Sequence, residues 1–205
     1  MFNKIKIPVL IILIVALGFG GYFAYTDMQN KKTNKEFVFD VVKSLNEIHK
    51  SRGSGEEDDK NNEFRAAYSM KERVENAEKL MKKWGEDENS FRRDVAQDML
   101  AGITNLSVAT DAYITLLNRP NKEDLARFQV KLEEGRKQLW LAASGIVLRD
   151  GGIRLSRSQK QEVIDFIDRI FEKEIETFKE KGQEEDFSQP QEIWAAVIIR
   201  NGLSK

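Results

Sequence analysis

The sequence predicts an all-α protein in which a single N-terminal transmembrane helix precedes an antiparallel bundle of four to five long helices. The supporting observations are an uninterrupted apolar run from Ile7 to Thr26, apolar residues recurring every three or four positions beyond it, and no sustained β alternation. We expect a membrane anchor over residues 1–27, a juxtamembrane helix over 28–50, a flexible acidic linker over 51–62 and a helical bundle domain over 63–205.

The apolar run is long enough to cross a bilayer, because its length corresponds to about 30 Å of helix. A cleaved signal peptide is the alternative, but cuts after small residues such as Gly18 or Gly20 would leave apolar sequence on the mature chain. We therefore expect a retained signal-anchor. Lysines flank the run almost equally on both sides. The short N-terminal tail favours an N-in, single-pass topology with the C-terminal domain outside the cytoplasm.

Small residues within the span repeat at four-residue spacing, at Ala16, Gly20 and Ala24. Such a face lets two membrane helices approach closely and can support a dimer. Small residues are also common in membrane helices generally, so this transmembrane dimer face is a hypothesis about a homodimer.

The juxtamembrane helix is predicted from Phe37, Val41, Leu45 and Ile48, which share one helix face. A capping-box pattern from Thr33 to Glu36 allows the helix either to restart or to continue there. The linker over 51–62 has no apolar residue, so it cannot bury enough surface to offset its ordering entropy.

Each bundle helix is predicted from an apolar stripe between helix-breaking or capping residues. The second helix of the chain runs from about Glu63 to Trp84, with Lys71 interrupting its stripe. The third and fourth are separated by Pro120 and run over about 89–118 and 121–149. Their stripes are Phe91, Val95, Met99, Leu106, Tyr113 and Leu117, and then Leu125, Phe128, Leu132, Leu139, Ala142 and Ile146.

Two further helices complete the bundle. A capping-box pattern at Ser158–Gln161 starts the fifth, which continues to Phe178. A last short helix carries Trp194 and Ile198, which either pack on the bundle or form an exposed docking strip. We favour packing.

Most site chemistry lacks its residues. His49 is the only histidine and the chain has no cysteine, so the usual zinc and di-iron ligand sets are missing. No phosphate-binding glycine loop or serine nucleophile motif occurs. The net charge of −1 gives no electrostatic case for nucleic acid. We expect no catalysis and no cofactor.

Asp111 is the most informative titratable residue, because it is the only charge between Leu100 and Asn118. A carboxylate in a central helix must be paired or protonated. Folding about Pro120 would bring Arg127 or Lys131 near its level, so these three residues form a candidate buried polar site.

The function expected is that of a membrane-anchored helical binding module of the cell envelope, which recognises a ligand or protein partner. A structural or assembly subunit that dimerises through its transmembrane helix is the first alternative. An envelope hydrolase that uses a pair of carboxylates is the second, since such a pair needs no further motif.

Overall fold

The computed structural model describes the backbone of residues 3–50, 60–149, 152–180 and 190–205, and side chains from Tyr25 onward except 51–62, 150–151 and 177–189. This part of the chain contains helices and no strand. The helices are α1 (Asn3–Lys50), α2 (Lys60–Lys82), α3 (Ser90–Asn118), α4 (Lys122–Leu148), α5 (Arg157–Ile170), α6 (Glu172–Glu180) and α7 (Gln191–Leu203).

The all-α bundle predicted from the sequence is confirmed, with four long helices followed by three short ones. The predicted fifth helix is divided at Phe171, whose backbone N–H closes α5 on the Ile167 carbonyl. Its capping box is formed by Ser156 and Gln159 rather than by Ser158 and Gln161. Ser156 is the residue with extended backbone geometry, which an N-cap requires.

α1 is one continuous helix, and this changes the expected organisation. Thr33 donates to the Gln29 carbonyl at 3.0 Å, as a residue inside a helix does, so no new helix begins there. Phe37 and Leu45 are fully buried in the same hydrophobic core as α2–α5 and α7. Residues 28–50 are therefore an integral helix of the bundle. The segments on either side of the predicted linker at 51–62 therefore share one core. Residues 51–59 of that linker lie outside the described residues.

The α3–α4 hairpin forms the centre of the bundle. Asn121 caps α4 by accepting a hydrogen bond from the Asp124 backbone N–H at 2.7 Å, immediately after the Pro120 turn. Gly102 and Gly135 bring the two helices together so closely that a Cβ on Gly135 would lie 2.8 Å from the Gly102 carbonyl oxygen.

α7 packs on the bundle, as the sequence favoured. Ile193, Ala196 and Ile199 are buried, whereas Trp194 and Ile198 are partly buried. A Cβ on Gly202 would clash with Val147 of α4, so the end of α7 lies tightly against the end of α4. A fully exposed docking strip on α7 is therefore not present.

Among the described residues, one helix is long and apolar enough to cross a membrane, and it is α3 in mid-chain. One third of its most apolar 18-residue window is buried inside the bundle. Core helices of soluble domains also meet this criterion. Ile7–Thr26 lies almost wholly within the part whose side chains are not described.

Candidate functional site

The outer half of the α3–α4 hairpin contains no buried residue. We call residues 113–134 the hairpin tip; all of them are described and none is buried. We call residues 95–112 together with 135–146 the hairpin base, which contains nearly all the buried residues of both helices. The boundary between tip and base is abrupt.

Among the described residues, α1 and α7 end near the level where the tip begins. Glu47, near the end of α1, forms an ion pair with Arg73 of α2. Two residues earlier on α2, Lys71 forms an ion pair with Asp111 of α3. α7 starts at the level of Arg136, which lies 3.6 Å from Glu192. In the described part of the chain, the first turns of α2 flank the tip, where the charge of Glu63 acts on the Tyr113 hydroxyl.

Exposed and half-buried apolar side chains lie on the tip. Leu125 and Val130 of the tip are exposed. Tyr113 and Phe128 stack across the hairpin with ring centroids 5.1 Å apart, and partial burial raises the pKa of the Tyr113 hydroxyl. Clusters of exposed apolar residues mark surfaces that bind other proteins. The tip is therefore the candidate partner-binding surface.

The predicted buried polar site at Asp111 is not formed. The Asp111 side chain is 57% exposed, at the junction of tip and base, and its Oδ1 lies 2.8 Å from Lys71 Nζ of α2. Arg127 is exposed, and Lys131 pairs with Glu134 on its own helix at 2.6 Å. The expectation of burial is wrong because α1 ends before it can cover this level, so that water reaches the carboxylate.

Lys71 is the residue that the sequence reasoning did not connect with Asp111. The hydrogen bond to Asp111 is the largest cause of a raised Lys71 pKa, and the attraction between the two charges adds to it. The signal was present in the sequence, since Lys71 interrupts the apolar stripe of its helix. A charged residue within an apolar stripe indicates a partner of opposite charge on the facing helix.

At the opposite end of the bundle, hydrogen bonds, an ion pair and an aromatic contact attach α1 to α2 and α3. Trp84 donates its indole N–H to Asp40 Oδ2 at 3.0 Å and meets Phe37 edge-to-face at 5.2 Å. Lys83 Nζ also contacts Asp40, at 2.5 Å. Buried Arg92 at the start of α3 donates to Asn34 of α1 at 2.6 Å. These contacts join α1 to α2 and α3 where the helix leaves the predicted membrane segment.

The transmembrane dimer face expected at Ala16, Gly20 and Ala24 falls on the helical backbone of α1. Its side chains lie outside those that the structure describes.

His49 and Glu192 are among the other polar residues that are partly or wholly buried. His49 Nε2 lies 2.9 Å from Glu174 Oε1, which links the end of α1 to α6. Glu192 is 1% exposed beside Arg136. Within the described ranges no three His, Asp or Glu side chains come together as a set of metal ligands.

Comparisons of this chain with protein-family models, with curated proteins and with solved structures find no match.

Proposed function

We propose that this protein is a membrane-anchored helical binding module of the cell envelope, held by an N-terminal span and recognising a protein partner through its hairpin tip. The observation that carries the proposal is the uncovered apolar surface of the tip, where residues 113–134 include no buried residue. Apolar side chains that a folded protein leaves exposed on a helical hairpin are available to bind another molecule.

The continuity of α1 supports a defined position for this surface. The apolar run ends at Thr26, and α1 continues to Lys50 without interruption. At helical rise this stretch measures about 36 Å. Since the tip lies beyond the end of α1, we infer that it stands well away from the bilayer. We further infer an N-in topology that places the bundle outside the cytoplasm, from the short N-terminal tail.

Site-specific photo-crosslinking in cells tests the proposal. A photoreactive amino acid is placed at Val130 in the tip or at Leu141 in the base. These residues lie on one face of α4 and are both 52% exposed, so Leu141 is a matched control. We expect a crosslinked protein at Val130 and none at Leu141. Crosslinking at neither position, or equally at both, would contradict the assignment of the tip.

An assembly subunit that dimerises through its span is the second candidate, and the same continuity of α1 favours it. A dimer of spans would bring two bundles side by side through two uninterrupted helices. Replacing Ala16, Gly20 and Ala24 by leucine would block close approach of the helices. Loss of a membrane dimer in the triple variant would support this candidate, and an unchanged monomer in both proteins would exclude it.

A further inference from the structure

A cavity of about 260 Å³ lies at the anchor-side end of the bundle, between α1 and the loops that lead into α3 and α5. Six polar residues contribute to its lining. They are Asp27, Asn30, Lys31, Asn34, Asn89 and Arg154.

The loop before α5 is fixed in place at this cavity by Asn34. Its side-chain N–H donates to the Arg154 carbonyl at 3.0 Å, and its side-chain oxygen accepts from buried Arg92 at 2.6 Å. Because both ends of the amide are engaged, Arg154 is held at the rim by its backbone. Its guanidinium is exposed and has no ion-pair partner among the described residues.

The unpaired groups of the cavity include three hydrogen-bond donors, the Arg154 guanidinium and the side-chain N–H groups of Asn30 and Asn89. Asp27 is already paired with Lys31 at 2.6 Å, so its carboxylate is neutralised. The amide of Asn30 and the Nδ2 of Asn89 have no hydrogen-bond partner in the described part of the chain, although Asn89 Oδ1 accepts from the Arg92 backbone. One unpaired guanidinium with two free amide donors is a set that suits an anion.

The position of the cavity selects the anion. Its lining on α1 begins at Asp27, directly after the apolar run ends, and continues to Asn34. These eight residues rise about 12 Å, which overlaps the polar headgroup layer of about 5–8 Å in each leaflet. We propose that this cavity binds the phosphate of a phospholipid headgroup, with Arg154 as the principal cation. The inference rests on the membrane anchoring proposed above.

A second cavity on the described surface shows the contrast. It is lined by Asp168, Glu172 and Glu176 with the single cation Arg169, so its charge disfavours phosphate. It also lies on α5 and α6, away from the residues that adjoin the apolar run.

The test uses the full chain in maltoside detergent, titrated with the water-soluble lipid dihexanoyl-phosphatidylglycerol. Hydrogen–deuterium exchange is followed over residues 27–34 and 152–155. We expect saturable protection of both segments, and affinity weakened about tenfold or more in Arg154→Gln, since one charge-assisted hydrogen bond is lost. Arg157→Gln is the matched control, because Arg157 is exposed and does not line the cavity. Asn30→Asp, which adds a negative charge, should weaken binding as well.

Three results would overturn the inference: no protection, equal weakening in Arg154→Gln and Arg157→Gln, or equal affinity for inorganic phosphate and the short-chain lipid. The last result would identify a site for free phosphate. Alkaline carbonate extraction of membranes keeps this test separate from the anchoring. Release of the wild-type chain by carbonate would overturn the proposed anchor, whereas retention with no effect of Arg154→Gln in the titration would overturn the lipid site alone.

Discussion

The two halves of the α3–α4 hairpin share one apolar stripe on α4 and have different surroundings. In the base, Leu139 and Ile103 are completely buried among α1, α2 and α7. In the tip, Leu125 and Phe128 continue the same stripe on α4 with no such cover. The difference arises from where the neighbouring helices end. An apolar stripe indicates that a helix face packs against another surface. In the tip, the described residues of this chain do not bury that face.

Truncating leucines along the α4 stripe should show the largest contrast. Leu139→Ala removes a completely buried side chain in the base and should lower the free energy of unfolding by about 2–5 kcal/mol. Leu125→Ala, at an exposed position of the tip, should change it by about 0.5 kcal/mol or less. Urea denaturation measures both. Similar losses would mean that the tip is packed as tightly as the base.

A methyl group between the helices of the base should have the next largest effect. Gly135→Ala places a Cβ within 2.8 Å of the Gly102 carbonyl and of the Leu106 side chain. The overpacking should cost about 1–3 kcal/mol, partly offset by the better helix propensity of alanine, about 1 kcal/mol. Glu134→Ala, one residue away and exposed, is the control and should have little effect. A Gly135→Ala protein more stable than wild type by about 1 kcal/mol, the full gain in helix propensity, would show that the helices are further apart.

A charged substitution on the tip should abolish partner binding and leave the free energy of unfolding nearly unchanged. Val130→Asp should change the free energy of unfolding by about 0.5 kcal/mol or less, because Val130 is exposed. It should also abolish partner crosslinking from a photoreactive residue at Leu125, since the carboxylate would be desolvated in an apolar interface. Leu141→Asp, at the same exposure in the base, should leave that crosslinking intact. Retained crosslinking in Val130→Asp would remove the tip from the partner interface.

The ion pair between Lys71 and Asp111 should give the smallest effect. Both side chains are substantially exposed, so a double-mutant cycle with Lys71→Met and Asp111→Asn should give a coupling of about 0.2–1 kcal/mol. The Lys71 pKa is raised in the folded state. The contribution should therefore be complete below about pH 10, near the unfolded lysine pKa, and disappear as the pH rises through the folded value. Coupling that persists at more alkaline pH would contradict this ion pair.

The helices themselves could be predicted from local signals. Asn121 caps α4 where the sequence placed it, after Pro120. The burial of α1 residues such as Phe37 could not be predicted from local signals, because the residues that cover them come after a linker that contains no apolar residue. Periodicity identifies which face is apolar, and only the tertiary arrangement determines what covers that face.

The candidate site was harder to predict for the same reason. Asp111 was correctly singled out as the isolated charge of its segment, but its exposure depends on α1 ending below it. The apolar stripe of α4 runs through both Phe128 and Leu139, although only Leu139 is buried; the lack of charge from Leu139 to Leu148 is the local signal of that burial. The anchor-side cavity combines residues from three distant segments, and no local pattern marks it.

The central claim is that α1 continues from the membrane into the core and holds the tip away from the bilayer. The chain has no cysteine, so Met28→Cys and Val130→Cys each introduce a single site for a fluorophore. With the full chain in vesicles that contain lipids with nitroxide-labelled headgroups, the dye at residue 28 should be strongly quenched. The dye at residue 130 should not, because Val130 lies near the level of the end of α1, about 33 Å further along the helix direction. Quenching at both sites would show a bundle lying on the membrane, and quenching at neither would contradict the anchor.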